Sequence, residues 1–330
     1  MAVTLQSETR KQLLEAFTGA GDEFISGQKI SELLGCSRTA VWKHIEDLRN
    51  EGYELEAVRR KGYRITKKPN KISSNEIQLG LQTKVMGRNV HFHEKVTSTQ
   101  RVAHTLAHEG VKEGTIVLAE EQTEGRGRLN RSWFSPEGTG IWMSLIVRPN
   151  IPPQQAPQLT LLTAVAVAQG IEELTHLSPK IKWPNDILVN GKKVVGVLTE
   201  LQAEPECIHS VIIGVGINVN QQTSDFPEGI DKTATSLAIE TGNKLNRSEL
   251  IQHILLKFEK LYFEYLKHGF LFVKLLWESY AVSIGKNIVV TTLNETKKGE
   301  ALGITDEGVL MMKDEMDNIH YIHSADISIM

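Results

Sequence analysis

Gln122-Thr-Glu-Gly-Arg-Gly-Arg-Leu-Asn-Arg-Ser-Trp133 gathers two glycines and three arginines into one short stretch. Gly125 and Gly127 allow positive φ and a close backbone approach, while Arg126, Arg128 and Arg131 bring three guanidinium forks together. Donors from backbone and side chains at once suit an anion, most naturally a phosphate. The same residues also make an ordinary solvated turn, so the reading rests on what surrounds the loop. Thr115–Ala119 and Gly140–Val147 are apolar, strand-like runs on either side of it.

Further along, Lys182-Trp-Pro-Asn-Asp186 combines a cation with a forced turn. Pro184 fixes φ and removes a donor, so the chain cannot run on as a central strand. Ile181 and Trp183 would half-bury Lys182 and aim its ammonium into a site. Ile187–Val195 contains Asn190-Gly191, a strong hairpin signal. Val211–Val219 is another apolar strand, in which Gly214 and Gly216 leave room for a ligand or a second backbone. Residues 154–177 suit a long buried helix, Ser248–His268 a second, and Phe270–Tyr280 a short third. Hairpins mixed with separate helices predict an α+β domain on a mixed or antiparallel sheet. The absence of Gly-x-x-x-x-Gly-Lys-Ser/Thr and of a strand-GxGxxG-helix unit excludes P-loop and Rossmann nucleotide sites. His91/His93 and His104/His108 have metal-compatible spacing but no third ligand nearby. They read as an edge strand and a solvated helix face, with no fixed protein metal site.

Before this region, Leu13, Leu14 and Phe17 mark a short first helix. Ser26 can cap a second helix with Ile30, Leu33 and Leu34 on one face, which Gly35 ends. Ser37 can cap a third, whose Val41, Ile45 and Leu48 follow helical spacing. Together they form a helix-turn-helix over about 27–46, with Ser37, Arg38, Thr39, Trp42 and Lys43 on the outer face of the second helix of the pair. Tyr53–Val58 and Tyr63–Ile65 then flank Arg59-Arg60-Lys61-Gly62, a basic hairpin placed as a wing for phosphate contacts. Lys67-Lys-Pro-Asn-Lys71 reads as a linker.

Bulk properties agree with a multidomain globular chain. Its 330 residues exceed one typical core, and 40% hydrophobic with 23% charged residues is ordinary for such proteins. Cys36 and Cys207 have no CxxC partner, which argues against a disulfide framework or cysteine metal site. The N-terminus lacks the basic and apolar regions of a signal peptide, and no window is apolar enough to span a bilayer. A cytoplasmic protein without membrane association is expected. The net charge of −3 conceals a basic segment, since residues 37–68 hold nine Lys/Arg against five Asp/Glu. That asymmetry fits a polyanion partner.

These motifs, in this order, resemble the bifunctional biotin–protein ligases that also repress the biotin operon (group II biotin protein ligases), and the match spans nearly the whole chain. Gly125-Arg-Gly-Arg128 with Trp133 resembles the family's adenylate loop, and Lys182-Trp-Pro-Asn-Asp186 its catalytic-lysine motif. Gly196-Val-Leu-Thr-Glu200 and Gly214-Val-Gly-Ile-Asn218 resemble the strands that follow. Thr97-Ser98-Thr99-Gln100 resembles the Ser-Thr-Asn biotin turn, with Gln100 in place of Asn, and Gln122 the glutamine before the loop. Asn130 stands where the family often has Gly, and Asn tolerates the left-handed conformation well.

The resemblance implies an α+β multidomain fold. Its parts are a winged helix-turn-helix over 1–68, a class II synthetase-like catalytic domain with a mixed sheet over 72–280, and an SH3-like β-barrel over 283–330. The barrel would use short strands within Gly285–Thr292, Lys298–Ile304 and Gly308–Met312. It further implies ATP-dependent formation of biotinyl-5′-AMP, with Mg²⁺ accompanying ATP. Biotin then passes to a lysine of the biotin carboxyl carrier protein of acetyl-CoA carboxylase and other biotin-dependent enzymes. Lys182, Arg126 and Arg128 are the implied catalytic residues. Ser98, Thr99, Gln100, Gln122, Gly125, Gly127, Trp133, Asn185, Gly196 and Asn218 join them around biotin and the adenylate. Ser37, Arg38, Thr39, Trp42, Lys43, Arg59, Arg60 and Lys61 would contact double-stranded operator DNA, bound by a homodimer that biotinyl-AMP promotes. A purely regulatory biotin sensor and a lipoate or octanoate ligase are the rival readings. Intact Lys182, Arg126 and Arg128 weigh against the first, the winged helix and the Lys-Trp-Pro-Asn-Asp run against the second.

Overall fold

A computed structural model of the chain describes residues 2–50, 52–67, 71–292 and 295–330, so Lys68, Pro69 and Asn70 of the expected linker lie outside the described residues. The chain divides into two compact units, Met1–Gly80 and Leu81–Met330.

In the first unit, α1 spans Ala2–Ala20 and is longer than the apolar positions suggest. Nothing in the polar run Gln6–Lys11 breaks a helix, so it continues past the turns that carry Leu13, Leu14 and Phe17. Ser26 caps α2 (Gly27–Leu34) by accepting from the Lys29 N–H at 3.1 Å, and Gly35 ends it at φ 60°. Ile30 is buried, but Leu33, expected on the same face, is 53% exposed. Three residues on from Ile30 it points about 60° away from it, whereas Leu34, four on, packs partly buried against the same core. Ser37 caps α3 (Arg38–Asn50) through the Ala40 N–H, and Val41, Ile45 and Leu48 are buried. Each such side chain contributes roughly 1.5–3 kcal/mol. Ile25, Ile30 and Tyr53 complete this small core with Leu13, Leu14 and Phe17.

Strands β1 (Glu54–Val58) and β2 (Gly62–Lys67) form the expected antiparallel hairpin, closed between Val58 and Gly62. Ile25 and Tyr63 exchange two backbone hydrogen bonds of 2.9 Å, which tie the hairpin to the segment before α2. Gly62 sits at φ 114°, and a Cβ there would stand 1.9 Å from the Ile25 carbonyl oxygen, so only glycine fits. Helix α4 (Ser74–Gln78) follows, capped by Ser73.

The second unit is built on a seven-stranded sheet ordered β3-β4-β5-β9-β8-β7-β6. The strands are β3 (Val90–Val96), β4 (Ile116–Gln122), β5 (Gly140–Val147), β6 (Lys180–Lys182), β7 (Asp186–Val189), β8 (Lys192–Glu204) and β9 (Cys207–Asn218). Only β3 and β4 run parallel, joined through α5 (Thr99–His108); every other pairing is antiparallel. His91 and His93 lie on β3, an edge strand, and His104 of α5 hydrogen-bonds Glu200 at 3.0 Å. Asn190 and Gly191 turn β7 into β8 at φ 49° and 79°.

Ala103 and Ala107 of α5 pack on Val117, Ile146 and Ile212. Helix α6 (Ala156–Thr175) is buried almost throughout and touches β8, where Thr160 donates to Thr199 at 2.8 Å. Gly170 lets it pack closely on Ile254 of α8 (Arg247–His268), since a Cβ would meet the Ile254 side chain at 2.8 Å. Arg247 makes a buried pair with Glu120 at 2.7 and 3.1 Å and also donates to the Gly140 carbonyl, which locks α8 to the sheet. Helices α7 (Leu237–Thr241) and α9 (Leu271–Tyr280) complete this part.

The last segment is a five-stranded antiparallel sheet ordered β13-β12-β11-β10-β14. It comprises β10 (Asn287–Thr291), β11 (Thr296–Ile304), β12 (Leu310–Lys313), β13 (Ile319–Ile322) and β14 (Asp326–Ile329). Trp183 donates to the Gly308 carbonyl at 3.3 Å, fixing this sheet beside the β6–β7 turn.

Candidate active site and nucleic-acid face

Four paired glycine and serine positions explain where the main cavity forms. Paired residues of neighbouring strands point to the same face. Gly196 lies opposite Gly216, and Gly214 lies between Leu198 and Ser144, so the middle of this face, beside Trp142, carries little side-chain bulk. Trp133 lies against the first two glycines: a Cβ would meet its ring at 2.8 Å from Gly196 and 2.4 Å from Gly216. The Gln100 amide fills the space above Gly214, where a Cβ would be 2.8 Å away. The gaps left by the glycines are therefore occupied by protein side chains, and the ligand space lies above them. Its volume is about 700 Å³, within the usual range for a small-molecule site.

Every implied biotin and adenylate residue except Gly125 lines this cavity: Ser98, Thr99, Gln100, Gln122, Arg126, Gly127, Arg128, Trp133, Lys182, Asn185, Gly196 and Asn218. Gly125 sits at the neck of the arginine loop, where a Cβ would stand 2.3 Å from the Trp133 carbonyl oxygen. The loop is a hairpin. Gly127 N–H donates to the Arg131 carbonyl at 2.7 Å, and Trp133 N–H to the Gly125 carbonyl at 2.8 Å. Leu129 and Asn130 turn its tip in the left-handed region, at φ 54° and 57°.

The polar residues at the α5 end are largely engaged with one another. Gln122 accepts from the Thr99 N–H at 2.8 Å and hydroxyl at 3.0 Å, and donates to Ser135 at 2.9 Å. Gln100 donates to the Leu198 and Ile212 carbonyls and accepts from Ser144. Asn218 donates to the Thr235 carbonyl at 3.1 Å, which holds the segment that follows β9. Ser98 is buried at the start of α5 without capping it.

Six basic side chains line the cavity (Arg126, Arg128, Arg131, Lys182, Lys193 and Lys232) against only two carboxylates, Asp186 and Asp326. Arg128 donates to Asn185 at 3.1 Å and to Ser324 at 2.9 Å. Both acceptors are neutral, and burial pulls the Arg128 pKa below the usual guanidinium value, against the attraction of Asp326 and Asp186. Arg131 pairs with Asp326, and that hydrogen bond raises its pKa. A partly buried cation with neutral partners is stabilised by an incoming anion.

Ser324 and Asp326, 196 and 195 residues beyond their arginine partners, have no sequence signal linking them to the loop. Lys193 and Asp186 were likewise absent from the implied site residues. The hairpin at Asn190-Gly191 marks Lys193's strand but does not say which face the side chain takes. Among the described residues no cluster of three or more His, Cys, Asp or Glu could hold a metal, and no helix is long and apolar enough to cross a membrane.

In the first unit, Ser37, Arg38, Thr39, Trp42, Lys43, Arg59, Arg60 and Lys61 are all exposed. Trp42 is 57% exposed on α3, an unusual place for an indole without a partner. Ser37 is committed to its helix cap, and Arg38 donates to Gln28 at 2.8 and 3.1 Å. Thr39, Trp42 and Lys43 are left as the open surface of α3.

Comparison with known proteins agrees with this geometry. The model of the biotin/lipoate A/B protein ligase family matches residues 92–218, an HTH domain model matches 9–64, and the biotin protein ligase C terminal domain matches 283–330. The chain is 60% identical to the bifunctional ligase/repressor BirA of Bacillus subtilis (strain 168), over 98% of its length and 100% of that protein. It is 28% identical to the bifunctional ligase/repressor BirA of Escherichia coli (strain K12), over 90% of each. A solved biotin protein ligase from Aquifex aeolicus, in complex with biotin and ATP, superposes with a TM-score of 0.63 at 31% identity, covering 74% of this chain and 99% of that one. With this identity along both chains, and with the ligase cavity and the winged helix both present, the chain belongs to the biotin protein ligases of the bifunctional ligase/repressor type.

Proposed function

We propose that the cavity joins biotin to ATP, giving biotinyl-5′-AMP and pyrophosphate, and then passes biotin to the lysine of a biotin carboxyl carrier protein domain. The observation that carries this reading is the excess of six cations over two carboxylates around one cavity. In the first step a carboxylate attacks the α-phosphorus of a polyphosphate. The two anions repel, so pre-placed positive charge supplies most of what the reaction needs. Lys182, at the end of β6, stands between the two reacting groups. Arg126 and Arg128 neutralise the phosphates and, with the backbone at Gly125 and Gly127, cover the adenylate from water. The α5 end, with Ser98, Thr99, Gln100, Gln122 and Trp133, receives biotin, and Asn185 and Asn218 hold the walls. In the second step the carrier's lysine amine attacks the acyl carbon and AMP leaves.

Mg²⁺ is expected to arrive chelated by ATP. Asp186 and Asp326 are already paired with basic side chains, so these residues do not make a metal site of their own. The first unit is proposed to bind double-stranded operator DNA as a homodimer, with α3 in the major groove and Arg59, Arg60 and Lys61 on phosphates. Preferential binding of biotinyl-AMP to the dimer would make the enzyme's intermediate its corepressor. We further propose a cytoplasmic location, a division into domains at about 1–68, 72–280 and 283–330, and acetyl-CoA carboxylase as the source of the carrier.

Labelled biotin, ATP and a biotin carrier domain, incubated with the full chain beside a lipoate control, test the ligase reading. Transfer of biotin alone is expected, and transfer of lipoate alone would overturn it. Lys182→Ala is expected to slow adenylate formation by about 10²–10³, the scale for losing one transition-state donor. Near-normal turnover removes Lys182 from its role.

A further inference from the structure

Asp186 faces two lysines, one on each carboxylate oxygen. Lys193 Nζ is 2.6 Å from Oδ1, whereas Lys182 Nζ is 3.8 Å from Oδ2. Lys182 and Asp186 are directly paired across the β6–β7 turn, and nothing in that register stops them from closing into a tight ion pair. Asp186 is the less exposed partner, with a side chain 15% accessible against 29% for Lys182, so the attraction is only partly screened.

A bulge decides which lysine of Lys192-Lys193 competes with it. Asp186 pairs with Gly196 and Ile187 with Val195, but Leu188 pairs with Lys193, leaving Val194 as an extra residue on β8. Strict alternation from Gly196 would have turned Lys192 toward Asp186. The bulge turns Lys193 there instead and leaves Val194 and Val195 both buried. Lys193 is anchored at its backbone by the Thr233 carbonyl at 2.8 Å and the Thr235 N–H at 2.9 Å. Its ammonium also lies 5.2 Å from the centre of the Trp133 ring. The ammonium is therefore held between Asp186 and the Trp133 ring on a backbone fixed by both bonds.

We propose that Lys193 is a positioning residue: by occupying Asp186 it keeps Lys182 from being neutralised and leaves that ammonium available to an anionic substrate. The proposal rests on the reading of Lys182 given above. Without Lys193, closing the Lys182–Asp186 contact from 3.8 Å to a normal ~2.8 Å would strengthen it by about tenfold at an effective dielectric of ~20. Lys182 would have to give up that contact before engaging substrate.

The test measures biotinyl-AMP formation from biotin and ATP with the full chain. Lys193→Met keeps the aliphatic packing and removes the charge, and its adenylation rate is expected to fall about tenfold. Lys193→Arg, which can still pair with Asp186, is expected to keep most of the rate. Asp186→Asn introduced into Lys193→Met is expected to restore the rate to within about threefold of the unmodified protein, because the competing charge is gone. A role confined to packing would not be relieved by that second change. A normal rate for Lys193→Met overturns the proposal. So does a slow Lys193→Met that Asp186→Asn fails to relieve, which would put Lys193 itself on the substrate. Lys182→Ala is run in parallel: a near-normal rate there overturns the assignment of Lys182 and is distinguishable from either result.

Discussion

Gly62→Ala is the substitution whose consequence follows most directly from coordinates. The alanine Cβ would stand 1.9 Å from the Ile25 carbonyl oxygen and 2.6 Å from the Ser26 Cα, both backbone atoms that cannot rotate away. The site also holds φ at 114°, which an L side chain resists by about 1–3 kcal/mol. Relief requires the hairpin to move off the segment before α2, breaking both 2.9 Å bonds between Ile25 and Tyr63 at roughly 0.5–1.5 kcal/mol each. The combined loss is about 2–6 kcal/mol, a large fraction of the stability of a small domain. Amide hydrogen exchange is the appropriate assay, because the Ile25 and Tyr63 N–H groups report the bridge directly. Their protection is expected to disappear and double-stranded DNA binding to weaken strongly. Adenylate formation should be retained, since every cavity-lining residue lies within 98–329. Unchanged protection at both amides would refute the reasoning.

Glu76, buried in the first unit, has its pKa raised to about 7 by burial, with Arg10 opposing the rise. The folded state therefore holds a proton that the unfolded chain releases at its lower pKa, so the stabilisation is complete below that value and lost as pH rises through 7. Glu76→Gln should flatten the pH dependence of the first unit's stability between 4.5 and 7, read by chemical unfolding; an unaltered slope argues against it. Gly216→Ala places a Cβ 2.4 Å from the Trp133 ring and should lift that ring off the sheet. Adenylation should slow and the loop at 125–133 become easier to cleave with protease; normal values for both would show that Trp133 has another seat. Changing Arg59, Arg60 and Lys61 together to Ala should weaken DNA binding evenly across sequences. It should also lower the slope of log K against log salt by about 0.9 per lost phosphate contact. A salt slope that does not change would take the hairpin off the phosphates.

Much of the fold could be read from local chemistry. Ser26, Gly35 and Ser37 punctuate α2 and α3 where their capping preferences place them, and Asn190-Gly191 turns β7 into β8. The apolar run Gly140–Val147 is β5 without adjustment. Helix ends differed where propensity outruns the apolar signal, as in α1. Leu33 shows the converse, since helical spacing says which residues could share a face but not how wide the neighbouring core is. The motif residues Lys182, Arg126 and Arg128 were recognisable because each lies in a short run with a distinctive composition.

Local chemistry was enough for the helices of the helix-turn-helix, the long helices and main strands of the catalytic region, the two hairpins, and the arginine loop with its cations. Those depend on interactions within a few residues, where capping, φ preference and periodicity act. Tertiary structure alone decided that the arginine loop meets Ser324 and Asp326, that Trp133 lies on Gly196 and Gly216, and that the amides of Gln100 and Gln122 are bound by their neighbours. It also decided that a one-residue bulge gives Asp186 to Lys193 in place of Lys192. Strand alternation has a period of two, so a single extra residue reverses every face beyond it. No local pattern records that reversal, because it lies in the pairing of two strands, where Val194 and Val195 are both buried.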